Sequence, residues 1–238
     1  MGAAGQLKEE QDRVSIFHPK VLALSTGTCS SVLFGYLFYR NFIRRIKTCL
    51  DITPSMLGRQ IKIRGKVTRV GDGDGFRLFH TPGGVVTGWG WLRHVPTKRH
   101  DLKDETLMVR LCGIDAPERS HWGKSAQPYS EEAMEWLKSY VGGKNIKITP
   151  YLIDQYKRLI AKAQIWKWTG RKDVGAEMLK RGLALVYEGI SDAEFGGNEH
   201  YYRKLEAKAK RRRKGLWGLR GNLLTPGQYK KIHYRGNN

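Results

Sequence analysis

Hydrophobic and polar positions divide the chain into an uncharged N-terminal stretch and a longer patterned region. Residues 21–39 carry no charged side chain, and a helix of that length spans roughly 28 Å, close to the hydrocarbon thickness of a bilayer. From residue 60 onward, apolar residues recur at the spacings of strands and amphipathic helices. The pattern therefore predicts a single transmembrane helix followed by a folded domain.

Within the folded domain, the pattern alternates between strand-like and helix-like segments. Strands are predicted at 60–70, 76–80, 107–112, 145–152 and 159–168. Helices are predicted at 130–141, 173–182 and 199–214, each closed by a glycine. Residues 81–105 are rich in Gly, Pro, Trp and His and predict a long loop or an extended hairpin. Five short strands with helices between and after them indicate an α+β fold built on a small closed barrel of the OB type.

These segments divide the chain into five parts, and the second part has more than one interpretation. The parts are an N-terminal polar segment (1–20), the transmembrane helix (21–39), a basic linker (40–59), the folded domain (60–218) and a C-terminal tail (219–238). A signal peptide and a buried core helix are the alternatives for 21–39. Acidic residues upstream argue against a signal peptide, which begins with a short basic region. The basic flank at 40–47 predicts that the C-terminal side stays on the cytoplasmic or matrix face.

Composition adds information about partners. The formal net charge is +21, from 43 Lys and Arg against 22 Asp and Glu. Such an excess indicates an anionic partner, either nucleic acid or a membrane face, with a well-solvated basic surface as the alternative. The three cysteines are scattered without a CxxC spacing, which argues against a disulfide framework or a zinc ribbon. The basic end of the 199–214 helix is open to three interpretations: a localisation signal, a phosphate-contacting face or a solvated helix end.

Candidate chemistry concentrates in residues 107–118, which carry Arg110, Asp115 and Glu118. Hydrolysis of a phosphodiester requires neutralisation of phosphoryl charge and deprotonation of a water molecule. Asp115, together with Asp74 in an upstream turn, offers hard oxygen ligands that suit Ca²⁺ when backbone carbonyls and waters complete the shell.

The remaining groups fit the same chemistry. Glu118 follows Asp115 closely enough to act as a general base beside such an ion. Arg110 and Arg158 would supply bidentate donors to a phosphate. Each signal also has an ordinary explanation when taken alone. Asp-Gly sequences are common in turns, and Arg110 with Glu118 could form a surface ion pair.

The order of five sequence blocks along the chain resembles the staphylococcal nuclease (thermonuclease) family. The blocks, which span roughly residues 60–218, are Gly71-Asp-Gly-Asp74, Val109-Arg-Leu-Cys-Gly-Ile-Asp-Ala-Pro-Glu118, Asp154-Gln-Tyr-Lys-Arg158, Lys180-Arg-Gly-Leu-Ala-Leu-Val186, and Tyr202-Arg-Lys-Leu-Glu-Ala-Lys-Ala-Lys210 with Gly215-Leu-Trp217. With its N-terminal span, the chain resembles the fungal membrane-anchored probable endonucleases of the long chronological lifespan type, which are described as mitochondrial.

The resemblance implies a five-stranded OB-type barrel with three helices and a Ca²⁺-dependent endonuclease that hydrolyses DNA or RNA, leaving 3′-phosphates. It places Arg110, Glu118 and Arg158 at catalytic positions, and Asp74 and Asp115 at calcium positions. The implied partners are a DNA or RNA substrate and a lipid bilayer, reached through residues 21–39. It also implies a single-pass protein of a mitochondrial membrane. No protein partner can be inferred.

The chain departs from the family pattern at several positions. Gly75 and Ala116 stand where the bacterial enzyme has threonines, and the 81–105 stretch is longer than the bacterial hairpin. Tyr156 and Tyr187 are the nearest candidates for the tyrosines that stack on a base. The alternative function is a noncatalytic nucleic-acid-binding module tethered to a membrane.

Overall fold

The chain forms two compact units, residues 1–44 and residues 45–238. The computed structural model describes residues 18–120, 125–188, 194–219 and 224–229. Most of the predicted polar segment 1–20 and most of the predicted tail 219–238 therefore lie outside the described residues, and Pro19 and Lys20 belong to the first helix.

Helix α1, Pro19–Phe38, makes up most of the described part of the first unit and runs into a π-helical turn at Tyr39–Ile43. The helix is long and apolar enough to cross a membrane. None of its residues is buried, so it is not a core helix of the described chain. Its hydroxyl groups bond to carbonyls one turn back: Thr26 Oγ1 donates to Leu22 O over 2.6 Å and Ser31 Oγ donates to Gly27 O over 2.9 Å. Because such bonds satisfy their hydroxyl groups within the helix, Ser25, Thr26, Thr28 and Ser31 are compatible with an apolar environment.

The second unit is built on one six-stranded sheet. Its strands are β1 (Ile63–Val70), β2 (Gly75–His80), β3 (Leu107–Leu111), β5 (Asn145–Ile153), β6 (Leu159–Lys167) and β7 (Gly170–Asp173). The order is β3-β2-β1-β5-β6-β7, and β3 also pairs with β6 in parallel. That last pairing closes a five-stranded barrel, which confirms the predicted architecture, while β7 extends the sheet outside the ring.

A second, two-stranded sheet was not predicted. It pairs β4 (Ile114–Asp115) with β8 (Leu185–Val186) in antiparallel fashion. Each strand has only two residues, so an alternation pattern cannot identify it. This small sheet fixes the main chain of Asp115 against the segment that leads to Tyr187.

The three predicted helices of the barrel domain are α3 (Ser130–Val141), α4 (Val174–Arg181) and α5 (Glu199–Arg211). Asp173 caps α4, with its Oδ1 accepting from Ala176 N over 3.2 Å, and Gly182 ends it with a φ of 67°. The barrel and the helices share one apolar core that contains Leu78, Ile148, Leu137 and Met178. All members of this core lie at or after residue 49, so the second unit has its own hydrophobic core.

Residues 45–58, within the predicted linker, are attached to the barrel. Cys49 and Ile52 are buried in the core, and a short helix α2 follows at Pro54–Gly58. Arg45 Nη1 pairs with Glu105 Oε2 at 2.6 Å, while Ile46 N donates to His80 Nδ1 over 2.8 Å. The segment therefore contacts both ends of the 81–105 loop.

Candidate active site

Three of the predicted site residues meet at one end of the barrel. Arg110 Nε lies 3.2 Å from Asp74 Oδ2, and its Nη2 lies 3.0 Å from Asp115 Oδ1. All three side chains are largely shielded, with exposed fractions of 15% for Arg110, 15% for Asp74 and 8% for Asp115. The guanidinium thus holds two carboxylates that are 41 positions apart in the chain. We call these three residues the Arg110 cluster.

Strand pairing places this cluster. Arg110 lies on β3 opposite Gly75 of β2, and Leu111 N donates to Asp74 O over 2.9 Å. The β2–β3 register therefore brings the turn before β2 beside Arg110. Asp115 follows on β4, where pairing with Leu185 of β8 fixes its main chain.

The two loops that carry the aspartates also pack directly on each other. A Cβ added to Gly73 would lie 2.7 Å from Ala116 Cβ, so only glycine fits there without a shift. Arg119 Nη1 donates to Gly71 O over 3.4 Å, and its Nη2 lies 2.9 Å from Glu131 Oε1 on α3. Ala116, which stands where the family pattern has threonine, is therefore tightly packed in this chain.

The charges of the Arg110 cluster compensate one another. Burial alone would lower the pKa of the Arg110 guanidinium. Asp74, Asp115, Tyr187 and Asp154 together outweigh that effect and raise the pKa above its usual value. Arg110 is therefore a fixed positive charge. Where a phosphate replaces one of the carboxylates, the N–H groups on that edge of the guanidinium can donate to it.

The main chain of Glu118 is held on both sides by Gln127. Glu118 N donates to Gln127 Oε1 over 2.8 Å, and Gln127 N donates to Glu118 O over 2.8 Å. Gln127 is buried, and its Nε2 donates to Leu224 O over 3.1 Å. Residues 224–229, in the predicted tail, thus help to support the segment that carries Glu118, and Tyr229 reinforces this contact by donating to Ser125 O.

Arg158 lies in the β5–β6 turn, directly before Leu159 of β6, which pairs with Val109 of β3. Its Nε lies 2.7 Å from Asp154 Oδ2. Asp154 Oδ1 accepts from Tyr156 N and from Arg158 N, each over 2.9 Å. Asp154 therefore both shapes the β5–β6 turn and orients Arg158. Arg171 lies on β7, where it pairs with Trp166 at the opposite end of β6.

The two tyrosines named as stacking candidates each lie beside one of these arginines. The guanidinium carbon of Arg110 is 5.4 Å from the ring centre of Tyr187, and that of Arg158 is 5.2 Å from the ring centre of Tyr156. Tyr156 is 68% exposed. Both aromatic rings are therefore positioned at the same end of the barrel as the Arg110 cluster.

The donor set is compatible with a hard divalent cation. Asp74 and Asp115 supply carboxylate oxygens that converge on one guanidinium. Among the described residues, no group of three or more His, Cys, Asp or Glu side chains could hold an ion. An ion here would thus depend on backbone carbonyls, waters and substrate oxygens for most of its shell. Ca²⁺ accepts such a shell, whereas structural zinc requires four protein ligands.

Sequence reasoning missed three supporting residues. Asp154 stood in a quoted block without a role, and Gln127 and Arg119 were not considered. The side-chain contacts of Gln127 and Arg119 reach residues 9 to 97 positions away, which no local pattern reveals. The Asp154-x-Tyr156 spacing was the one available signal, because Asp side chains often accept from the main chain two residues on.

Fold and site together define an OB-type barrel with ion pairs between arginines and carboxylates at one end. A family model described as "Staphylococcal nuclease homologue" matches residues 108–218. "Probable endonuclease LCL3" of Debaryomyces hansenii is 62% identical over 231 residues, which is 97% of this chain and 98% of that protein. The protein of the same name from Candida albicans strain SC5314 is 65% identical over 228 residues, covering 96% of this chain and 97% of that protein. The chain belongs to the staphylococcal nuclease homologue family.

Proposed function

We propose that this protein is a membrane-anchored, Ca²⁺-dependent endonuclease that hydrolyses phosphodiester bonds of DNA or RNA. The single observation that carries the proposal is the Arg110 cluster, in which one guanidinium contacts two shielded carboxylates. A phosphate and a divalent cation are complementary to that arrangement, because the guanidinium binds anions and the carboxylates bind the ion. The names of the yeast relatives support an endonuclease activity.

In this proposal, Asp74 and Asp115 would hold the ion, which would neutralise charge on the phosphate. Arg110 and Arg158 donate to phosphoryl oxygens and stabilise the charge that builds up on them. Glu118 takes a proton from the attacking water, and Gln127 fixes the main chain that carries it. Tyr156 and Tyr187 offer ring faces to nucleobases next to the scissile bond.

A cleavage assay tests the catalytic part. Full-length protein in detergent is incubated with plasmid DNA and with RNA, in calcium and in chelator. We expect both parent and a Glu135→Gln control, which changes an exposed carboxylate on α3, to cut only with calcium. Glu118→Gln should lose at least about a hundredfold in rate. Parent protein that binds nucleic acid but leaves it intact would instead favour the noncatalytic module.

The membrane part of the proposal rests on α1, whose length and composition suit a bilayer. We propose that α1 anchors the barrel domain in a mitochondrial membrane, as the resemblance implies. Cell fractionation should find the protein in mitochondrial membranes after alkaline carbonate extraction. Release into the soluble fraction would mean that α1 is a cleaved signal or a peripheral helix.

A further inference from the structure

The 81–105 loop exposes a set of apolar side chains, although the loop itself is firmly built. Val85, Val86, Trp91 and Leu92 are 65%, 91%, 65% and 69% exposed. Trp91 Nε1 nevertheless donates to Val85 O over 3.0 Å, and Trp89 Nε1 donates to Pro82 O over 3.1 Å. These four apolar residues, here called the loop tip, are therefore presented to the surroundings by an ordered loop.

A basic groove lies beside the loop tip. The groove has a volume of about 820 Å³, and Val85, Trp166 and five cations line it: Arg64, Lys66, Lys98, Lys147 and Arg171. None of these five cations belongs to an ion pair among the described residues. Burial, followed by repulsion from Arg171, Lys62 and Arg64, lowers the pKa of Lys147. Asp101 is the one acid among the lining residues, so the groove is strongly cationic and suits an anionic ligand.

This surface is remote from the Arg110 cluster. Trp166 lies on β6 eight positions after Arg158, which corresponds to roughly 26 Å along a strand. The groove is consequently a separate surface from the proposed catalytic site, at the other end of the same strand.

The same loop is the attachment point of the chain that follows α1. Arg45 bonds to His80 O and to Glu105, the residues that flank the 81–105 loop. Only residues 39–44 separate Phe38 from Arg45, and an extended chain of that length reaches at most about 25 Å. Whatever the arrangement of the two units, a bilayer that holds α1 is within this reach of Arg45.

We propose that the loop tip and the basic groove form a docking surface for an anionic lipid bilayer, with the loop tip entering the headgroup region. This inference rests on the proposed anchoring by α1. A cationic groove alone would suit nucleic acid equally well. Exposed valine and leucine side chains, however, gain more from the apolar boundary of a bilayer than from charged phosphates. Aliphatic residues and tryptophan next to lysine and arginine are typical of membrane interfaces.

An environment-sensitive fluorophore tests the docking directly. Full-length protein with Cys29→Ser retains only the buried Cys49 and Cys112, and a nitrobenzoxadiazole label is attached at Val86→Cys. The matched control is Gln155→Cys, an exposed position in the β5–β6 turn at the other end of β6. Both proteins are reconstituted into vesicles of phosphatidylcholine with phosphatidylserine. We expect a blue shift and quenching by headgroup-proximal spin-labelled lipid at position 86 and neither change at position 155.

Flotation of the same vesicles separates this inference from the proposed anchor. Protein that floats while its label at position 86 stays water-like would keep the anchor and overturn the docking surface. If the reconstituted protein does not float, the proposed anchor fails. The labelled protein is then added to preformed vesicles, where the label at position 86 shows whether the loop tip docks by itself. A water-like signal there again overturns the docking surface.

Charge variants test the basic groove. In Arg64→Gln with Lys147→Gln, the ratio of docked to undocked label should fall about fivefold per charge removed in phosphatidylserine vesicles. Identical signals with and without phosphatidylserine would overturn the role of the groove. A label at position 86 that responds to an oligonucleotide in chelator, but not to lipid, would overturn the bilayer in favour of nucleic acid.

Discussion

Arg110 Nη2 lies 3.0 Å from Asp115 Oδ1, so a proposed phosphate ligand directly contacts a proposed metal ligand. The same guanidinium also reaches Asp74 at 3.2 Å. Arg110 is therefore a positive charge that holds two shielded carboxylates together. The contact links stability, ion binding and catalysis at one residue.

Replacing Arg110 by glutamine should make stability depend on calcium. Without the guanidinium, Asp74 and Asp115 lose a positive charge that both of them contact, and removal of one partner from a shielded ionic cluster costs about 3 kcal/mol in the free energy of unfolding. Added calcium should recover much of this loss, while cleavage stays at least about a hundredfold below the parent rate. Thermal melts in chelator and in calcium measure the effect.

Arg69→Gln, a change at an exposed arginine of β1, is the matched control for this experiment. It should melt like the parent in both buffers. If Arg110→Gln is as stable as the parent in chelator and gains nothing from calcium, the two aspartates do not form a common ion site.

Whether the sequence predicted an element or a site residue depends on how far apart along the chain its contacts lie. Strands β1 to β3 and helices α3 and α4 follow from alternation, helical spacing and caps such as Asp173, all of which are local properties. The two-residue pairing of Asp115 with Leu185 is not local, and neither is the docking of Arg45 on Glu105 across 60 positions. The order of the sequence blocks identified the residues of the Arg110 cluster. It did not identify the residues that support the site.

Gln127 illustrates such a support, and its replacement should affect turnover more than stability. Gln127→Ala removes the acceptor for Glu118 N and the donor to Leu224 O, so the segment carrying the proposed base loses its fixed position. We expect a fall of about tenfold in kcat with KM within about twofold, since misplacement of a catalytic group acts on the chemical step. Steady-state cleavage of a short oligonucleotide separates the two constants.

Gln155→Ala, at an exposed glutamine outside these contacts, serves as the control for Gln127. Equal kcat values for Gln127→Ala and the parent would show that Glu118 needs no such support. A large change in KM alone would instead place Gln127 in substrate binding.

Asp154 should act on catalysis through Arg158. Asp154→Asn keeps an oxygen that can accept from Tyr156 N and Arg158 N, but it loses the charge that pairs with Arg158 Nε at 2.7 Å. Because the guanidinium is then free to adopt other rotamers, kcat should fall about tenfold. The melting temperature should change little, since the amide oxygen keeps the main-chain hydrogen bonds and Arg158, which is 27% exposed, can turn its charge to water.

Arg158→Ala provides the reference for that variant, and its kcat should fall further, by at least about a hundredfold. The double variant should then be no slower than Arg158→Ala, because Asp154 acts only through that arginine. A double variant with a clearly additive loss would mean that Asp154 has a role of its own.

His80 should make stability sensitive to mildly acidic pH. Burial, and secondarily the charge of Arg45, lowers the pKa of His80 from 6.5 to about 4. Its Nδ1 accepts from Ile46 N over 2.8 Å, and protonation would remove that acceptor. Between pH 6.5 and 4 the unfolded chain binds more protons than the folded one, so the free energy of unfolding falls as pH drops through this window, by about 3 kcal/mol in total.

Urea unfolding of the full-length protein between pH 7 and pH 4 measures this dependence. Carboxylates also titrate at the acidic end, so the informative quantity is the difference from His80→Asn, whose amide oxygen can accept from Ile46 N at every pH. We expect His80→Asn to be less stable than the parent at pH 7, through lost packing, and to lose less stability on acidification. Parallel curves for the two proteins would mean that His80 does not carry the acid sensitivity of the Arg45 attachment.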